Sequence, residues 1–434
     1  MGGVYLSSLG CRLNQAEMTA LARSLSAGGY GLSGSAEEAD VIILNTCAVT
    51  AEAERKTRQY LRRYRRINPG AFLVVTGCYA QMEPALVERG LADLALGNQG
   101  KGQLIEAPGR FLPRTPLTAA AMPMEGRVRA LVRIQEGCDN RCTYCLVWKL
   151  RGPQRSRPAD EVIAEVRRLV EERTVEITLT GVHIGAYGHD ASGRTGPSLW
   201  ELVSRILRET NLARLRLSSI EPWDMQSADL SLWRDERLCQ HLHIPLQSGC
   251  DAVLARMGRR YDTGQYARIL ERVRGAVPRI AVTTDVIAGF PGETGEQFEV
   301  GLEFVRSCGF ARMHVFPYSE RPGTPAAVLP DQVPMKERRL RAERLREAAR
   351  CSEREYASTF IGDTLPVLWE KRQGGVWAGV TSNYLKVRCR CDDKLANRVL
   401  PAQIEAWEGS ALTGSLVVTS AASLASRLHA DNSH

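Results

Sequence analysis

The stretch Gly137-Cys138-Asp139-Asn140-Arg141-Cys142-Thr143-Tyr144-Cys145 places three thiols in one short loop. A loop of this length can wrap a single iron–sulfur cubane. A 4Fe-4S cluster has four irons, so three cysteines leave one iron open to a substrate or cofactor. A structural zinc site would close on a fourth Cys or His at short range, and none follows here. The loop comes directly after the apolar run Ala130–Ile134, so it reads as the end of a strand.

Five more apolar runs follow, at Val175–Leu179, Leu215–Leu217, Leu242–Leu246, Ile280–Ile287 and Met313–Phe316, each trailed by helical or loop sequence. Six βα units between residues 128 and 358 predict an open (β/α)6 barrel rather than a closed eight-stranded one. A densely charged helix from Met335 to about Tyr356 ends this unit.

Upstream, residues 1–97 alternate short apolar runs with amphipathic stretches, the pattern of a parallel α/β sheet. Candidate strands Val4–Ser8, Val41–Asn45 and Phe72–Thr76 are each followed within a few residues by a cysteine, namely Cys11, Cys47 and Cys78. The carboxyl ends of parallel strands share one edge, so these distant cysteines are expected to meet. Flanking Gly10, Thr46 and Gly77 suggest tight turns there, while three buried core thiols are the alternative. Residues 98–127 are rich in Gly, Pro and small side chains and read as a linker. Past Phe360 the sequence changes to short alternating strands such as Val376–Val380 and Tyr384–Val387, which predict a small β-barrel over 359–418. A small, polar tail, 419–434, follows. The expected fold class is α/β: an N-terminal parallel α/β sheet domain, a central partial (β/α)6 barrel and a C-terminal small β-barrel.

A chain of 434 residues suits two or three domains. Hydrophobic residues make up 44% and charged residues 24%, with no apolar run of membrane-spanning length and no basic-then-apolar leader, so a soluble cytoplasmic protein without a membrane partner is expected. Twelve cysteines in such a chain favour thiols available to metal over disulfides. The net charge of +8 suits a polyanionic partner. The helix after Cys47 carries Lys56, Arg58, Arg62, Arg63, Arg65 and Arg66 beside the apolar stripe Tyr60, Leu61, Tyr64 and Ile67; it is either a phosphate grip or a solvated face. Cys239, Cys250, Cys308, Cys351, Cys389 and Cys391 read as buried thiols, and His183, His243 and His314, near barrel-strand ends, carry no assignment.

With Tyr144 ahead of its last cysteine, the Cys138–Cys142–Cys145 loop resembles the signature of radical S-adenosylmethionine (SAM) enzymes, in which SAM chelates the open iron. Taken with the upstream triad and the two barrels, the chain resembles the methylthiotransferases from Val4 to about Val418. The segments Leu9-Gly10-Cys11-Arg12-Leu13-Asn14-Gln15, Asn45-Thr46-Cys47-Ala48-Val49-Thr50 and His314-Val315-Phe316-Pro317-Tyr318-Ser319 are most similar to the branch acting on threonylcarbamoyladenosine in tRNA.

This resemblance implies SAM and two 4Fe-4S clusters, one on Cys138, Cys142 and Cys145 and an auxiliary one on Cys11, Cys47 and Cys78. It also implies that Tyr144, Gly181, Ser248, Gly289 and Phe316 surround SAM. The implied reaction places a methylthio group on carbon 2 of N6-threonylcarbamoyladenosine at position 37, beside the anticodon. The implied partners are the tRNA anticodon loop and an electron donor. The segment Phe360–Val418, with Asn383-Tyr384-Leu385-Lys386-Val387, resembles the RNA-associated TRAM domain. The alternatives are a methylthiotransferase for isopentenyladenosine in tRNA or for a ribosomal-protein aspartate, and a non-enzymatic iron–sulfur protein that binds RNA or carries electrons. Three-cysteine ligation twice over disfavours the carrier, which is better served by fully ligated clusters. The family commonly has Ile-Pro ahead of Arg-Gly after the last cysteine; here Leu146-Val147-Trp148-Lys149-Leu150 precedes Arg151-Gly152, so Trp148 and Lys149 bear on fine specificity.

Overall fold

Four parallel strands, β1 (Val4–Ser8), β2 (Val41–Thr46), β3 (Phe72–Gly77) and β4 (Leu94–Leu96), lie side by side in chain order in the computed structural model, which describes residues 3–112, 129–190 and 193–417. Every residue of β2 is buried, because helices cover both faces of a parallel sheet. Ile42 and Leu44 pack with Leu61 and Tyr64 of α2 (Ala51–Ile67). Val41 and Ile43, pointing the other way, pack with Leu21 and Leu25 of α1 (Arg12–Ala27). The short helix α3 (Cys78–Met82) starts directly at the end of β3.

The linker expected from residue 98 is corrected at its start. Asn98–Glu106 forms α4, which buries Leu104 beside Leu21 and Leu25 and also buries the ammonium-bearing Lys101. Its two glycines, Gly100 and Gly102, masked the helix in the sequence; a Cβ at Gly100 would press on Leu96 at 3.2 Å. The rest of that stretch from 113, and the expected tail, lie outside the described residues.

The central unit has six parallel strands: β5 (Arg129–Arg133), β6 (Glu176–Thr180), β7 (Arg214–Leu217), β8 (His241–His243), β9 (Ala281–Ala288) and β10 (Arg312–Pro317). They form two three-stranded runs, joined between β7 and β8 by bridges at Leu215–Leu238 and Ser219–His243. Among the described residues β10 does not pair back to β5, so the barrel is open. The outer helices are α6 (Ala159–Glu171), α7 (Leu199–Glu209), α9 (Thr263–Ala276) and α10 (Gly295–Ser307), with the short α5 (Val147–Arg151) and α8 (Asp251–Arg256) at the mouth. Capping boxes start three of them, Ser198 with Glu201, Asp262 with Gln265 and Thr294 with Gln297. The charged α11 (Met335–Ser358) packs on β10. Cys351 on this helix is exposed, which corrects the buried thiol expected there.

The C-terminal strands β11 (Thr364–Gln373), β12 (Val376–Thr381), β13 (Lys386–Arg390), β14 (Arg398–Glu408) and β15 (Ala411–Leu416) close into a barrel of order β11-β12-β13-β15-β14. Only β13 and β15 run parallel, as in five-stranded Greek-key barrels that bind oligonucleotides. The strand expected from Tyr384 begins instead at Lys386. Tyr384 adopts a left-handed φ of 67° and belongs to the β12–β13 turn. No helix among the described residues is long and apolar enough to cross a membrane.

Candidate active site

The signature loop leaves the end of β5 and folds back under the barrel mouth. Gly137, at φ 73°, leaves no room for a Cβ against the Pro153 carbonyl, and Cys138 N–H donates to Gly152 O at 3.1 Å. Cys142 is buried and Cys138 and Cys145 are half-buried, all as free thiols. Burial pushes the Cys145 thiol up to about 12 and raises that of Cys142. Thiols of this kind lose their protons to a metal rather than to solvent. Around them stand Arg259, which the sequence did not reveal, and His183, which it left without an assignment. Arg259 donates to Cys142 Sγ at 3.4 Å, pairs with Glu221 and stacks on Trp223 at 4.8 Å. His183 Nε2 lies 2.6 Å from Asp224 Oδ2. Burial alone would lower the His183 pKa, but its hydrogen bond to Asp224 and the neighbouring Cys138 thiol raise it to about 10.

Cys11, Cys47 and Cys78 follow β1, β2 and β3 and lie together at the carboxyl edge of the N-terminal sheet, as the strand pattern predicted. Cys47 and Cys78 are buried and Cys11 is exposed. Burial, with the neighbouring Cys78 and Cys11 adding to it, pushes the Cys47 thiol up to about 11. Gly10 is required here: at φ 102°, a Cβ would press on Cys47 Cβ at 2.5 Å and Sγ at 3.0 Å. Among the described residues no three His, Cys, Asp or Glu side chains are arranged to hold a single metal ion. A polynuclear cluster takes its thiolates on different irons, and each triad offers three soft thiol donors of the kind such a cluster requires.

A buried polar network joins the two triads. Glu17 of α1 receives Lys101 Nζ at 2.5 Å and Arg151 Nη1 at 2.9 Å. Arg151, at the end of α5, also donates to Asn14 Oδ1 at 2.7 Å and pairs with Glu136 at 3.2 Å. Asn98 Nδ2 donates to Leu150 O at 2.7 Å and reaches Cys78 Sγ at 3.7 Å. Asn14 in turn donates to Leu9 O and Thr46 O, bracing the turns that carry Cys11 and Cys47. Burial would raise the Glu17 carboxyl, but Lys101 and Arg151 hold it down at about 2. The helix leaving the signature loop is thereby bolted to the loops of the other triad.

The chain matches two family models, "Uncharacterized protein family UPF0004" over residues 3–97 and "Radical SAM superfamily" over 132–305. It is 35% identical over 93% of its length to the threonylcarbamoyladenosine tRNA methylthiotransferase MtaB of Bacillus subtilis, covering 94% of that protein. The chain belongs to the radical SAM methylthiotransferase family. It is also 32% identical over 94% of its length to the tRNA-2-methylthio-N(6)-dimethylallyladenosine synthase of Bacillus velezensis, covering 85% of that protein. Among solved structures, the radical SAM methyltransferase TsrM of Kitasatospora setae superimposes with a TM-score of 0.54 at 15% identity, over 75% of each chain, which shows the shared fold.

For this family member, the residues implied to surround SAM separate into two groups. Tyr144 is half-buried and meets Phe290 edge-to-face with ring centroids 6.4 Å apart, and Phe290 meets Tyr318 edge-to-face at 5.4 Å. Ser248 is buried two residues ahead of Cys250, which joins the same apolar cluster. Phe316 is exposed at the barrel mouth. At Gly181 and Gly289 packing alone demands glycine: a Cβ would meet Gln135 O at 2.8 Å and Arg338 Cγ at 2.6 Å. Trp148 lies under the Arg141 guanidinium at 4.7 Å, and Lys149 Nζ donates to Gly323 O at 2.5 Å, so this departure from the family pattern ties the loop to the segment after β10.

Two surfaces present cations. On α2, Lys56, Arg58 and Arg65 are paired with Glu52, Glu54 and Asp93, while Arg62, Arg63 and Arg66 have no carboxylate partner among the described residues. On β13, Lys386, Arg388 and Arg390 face outward and alternate with buried Val387 and Cys389. The three line a concave surface of about 1050 Å³ with Lys371 and Arg312. Cys389 packs in the barrel core, as the plain thiol reading expected.

Proposed function

We propose that the chain methylthiolates carbon 2 of N6-threonylcarbamoyladenosine at the position beside the anticodon of tRNA, in the cytoplasm. Cys138, Cys142 and Cys145 would hold the cluster that binds SAM, and Cys11, Cys47 and Cys78 the auxiliary cluster. When bound, these groups supply the radical that removes the adenine hydrogen and the sulfur and methyl groups that replace it, chemistry no side-chain acid or base provides. The protein's own part is to hold, orient and exclude. Asn14, Glu17, Asn98 and Arg151 fix the auxiliary triad against α5, so the two sites keep one geometry through turnover. Arg259 places a fixed cation against Cys142. Tyr144, Phe290 and Tyr318 wall the signature loop with apolar surface. The outward basic stripe of β13 and the unpaired arginines of α2 offer phosphate contacts to the RNA.

The observation that carries this reading is the joining of two three-cysteine sets by the Glu17–Lys101–Arg151 network. The threonylcarbamoyl substrate is favoured by the likeness to the Bacillus subtilis enzyme and by the Leu9–Gln15, Asn45–Thr50 and His314–Ser319 segments. The test is anaerobic reconstitution with iron and sulfide, then dithionite, SAM and tRNA carrying threonylcarbamoyladenosine, with mass spectrometry of the digested nucleosides. The methylthio nucleoside is the expected product. Deoxyadenosine without it would keep the radical chemistry and move the substrate to isopentenyladenosine or a ribosomal-protein aspartate.

A further inference from the structure

Arg12 immediately follows Cys11 and begins α1, so its side chain leaves the auxiliary site toward the open barrel. It is half-buried, and its Nη2 donates to the Tyr384 hydroxyl at 2.6 Å. Tyr384 comes from the turn between β12 and β13. That turn is clamped onto the central barrel by Arg214, which donates to Val380 O at 3.1 Å, and Arg216, which donates to Ser382 O at 2.9 Å. A residue of the N-terminal domain is therefore aimed by a residue of the C-terminal one.

The surroundings are strongly cationic, and three of the four guanidiniums are already neutralised. Arg129 pairs with Glu370 at 2.6 Å, Arg216 with Glu176 at 2.8 Å and Arg312 with Glu353 at 3.8 Å. Arg12 has no carboxylate partner among the described residues. Nearby, the inward face of β9 and β10 presents Asp285, His314 and Phe316 in register, with His314 and Phe316 exposed. Asp285 is shared with His243 at 3.3 Å. His241, on the same face of β8 as His243, packs against the Tyr384 ring at 4.7 Å, and the Arg12 guanidinium lies 5.5 Å over that ring, which places it on the lumen side. A half-buried guanidinium without a counter-ion is costly unless an anion comes to it, and guanidinium–carboxylate pairs are the strong, directional case.

We propose that Arg12, oriented by Tyr384, receives the carboxylate of the threonylcarbamoyl group and selects that nucleoside over one bearing an apolar isopentenyl group. This rests on the substrate reading given above. An RNA phosphate carries the same kind of charge, so the test separates the two sources.

Full-length reconstituted enzyme, without SAM, is titrated with two tRNAs of one sequence, with and without the threonylcarbamoyl group, and binding is read by fluorescence anisotropy. Wild type is expected to prefer the modified tRNA. Arg12→Gln should weaken binding of that tRNA about 10- to 100-fold and leave the unmodified one nearly unchanged, as loss of one charge-assisted pair predicts. Arg12→Lys should recover part of the loss, and Tyr384→Phe, which removes only the orienting hydroxyl, should show a smaller loss of the same selectivity. In turnover, Arg12→Gln should raise KM for the threonylcarbamoyl tRNA more than it lowers kcat. Equal weakening on both tRNAs would assign Arg12 to a phosphate, and no weakening would remove it from recognition; either overturns the proposal. If wild type forms no methylthio product on the threonylcarbamoyl tRNA, the substrate reading itself fails, an outcome visible before any variant is made.

Discussion

The two cysteine triads are built by opposite means. Cys138, Cys142 and Cys145 come from one loop, so their approach is set largely by local chain geometry, with Gly137 and the following turn at Gly152 closing the loop and Met257, Arg259 and Ala326 bracing it from a distance. Cys11, Cys47 and Cys78 come from three strand ends, so their approach exists only when β1, β2 and β3 are in register and their turns are braced. A contiguous site can form before the rest of the barrel; an assembled site inherits the stability of its sheet. The buried network around Glu17 then couples the second kind of site to the first.

The largest expected effect separates the two sets by chemistry. Cys142→Ala should abolish deoxyadenosine formation from SAM, whereas Cys47→Ala should leave deoxyadenosine formation and abolish only the methylthio nucleoside. Chromatography of the small-molecule products alongside the digested tRNA reads both. A Cys142→Ala protein that still made deoxyadenosine would erase the division of labour.

The coupling between the sets is tested next. Glu17→Gln leaves Lys101 and Arg151 buried against a neutral partner, and breaking such a group costs about 3–5 kcal/mol. A urea melt of the metal-free full-length chain should show the loss. The pH dependence has a definite sign. Because the folded carboxyl is held at about 2, its contribution is complete above the ordinary glutamate value of 4.5 and drains away as pH falls from there toward 2. Glu17→Gln should therefore flatten the stability profile within that window, and an unaltered profile would place the acid sensitivity elsewhere.

Smaller still is the effect expected at Gly10. Gly10→Ala forces a side chain into a left-handed backbone at φ 102° and against Cys47, a strain of about 1–3 kcal/mol. The chain should fold yet lose iron selectively, keeping the signal of the signature-loop cluster. Iron analysis with electron paramagnetic resonance after reduction distinguishes this from general collapse, which would remove both signals.

How far the sequence could be read follows the same contrast. The signature loop was fully legible because spacing alone defines it. The auxiliary triad was legible one step removed, through the rule that parallel strands end on one edge. The barrel strands appeared as apolar runs with ends displaced by only a few residues. What stayed hidden depends on distant partners. Glu17, Lys101 and Arg151 look like ordinary surface charges in their own helices, and nothing local shows that they bury one another. Arg259 stands far along the chain from Cys142, and Arg12 meets Tyr384 across almost the whole sequence. The helix α4 was lost to its own glycines, and β4, three residues long, is too short for periodicity to speak.

The least effect is expected on the RNA-facing side, where the same rule of paired against unpaired charge applies. Of the seven cations on α2, Arg55, Lys56, Arg58 and Arg65 are engaged by Glu52, Glu54 and Asp93. Replacing these would first unmake helix contacts. Arg62, Arg63 and Arg66 have no such partner among the described residues, so any phosphate binding by this helix falls to them. Removing one phosphate-neutralising cation lowers the slope of log affinity against log salt by about 0.7–0.9. A triple Arg62→Gln, Arg63→Gln, Arg66→Gln chain should bind tRNA more weakly at low salt, with a shallower salt dependence and an unchanged preference for the threonylcarbamoyl group. An unchanged slope would leave the phosphates to Lys386, Arg388 and Arg390 on the C-terminal barrel and make α2 a solvated face.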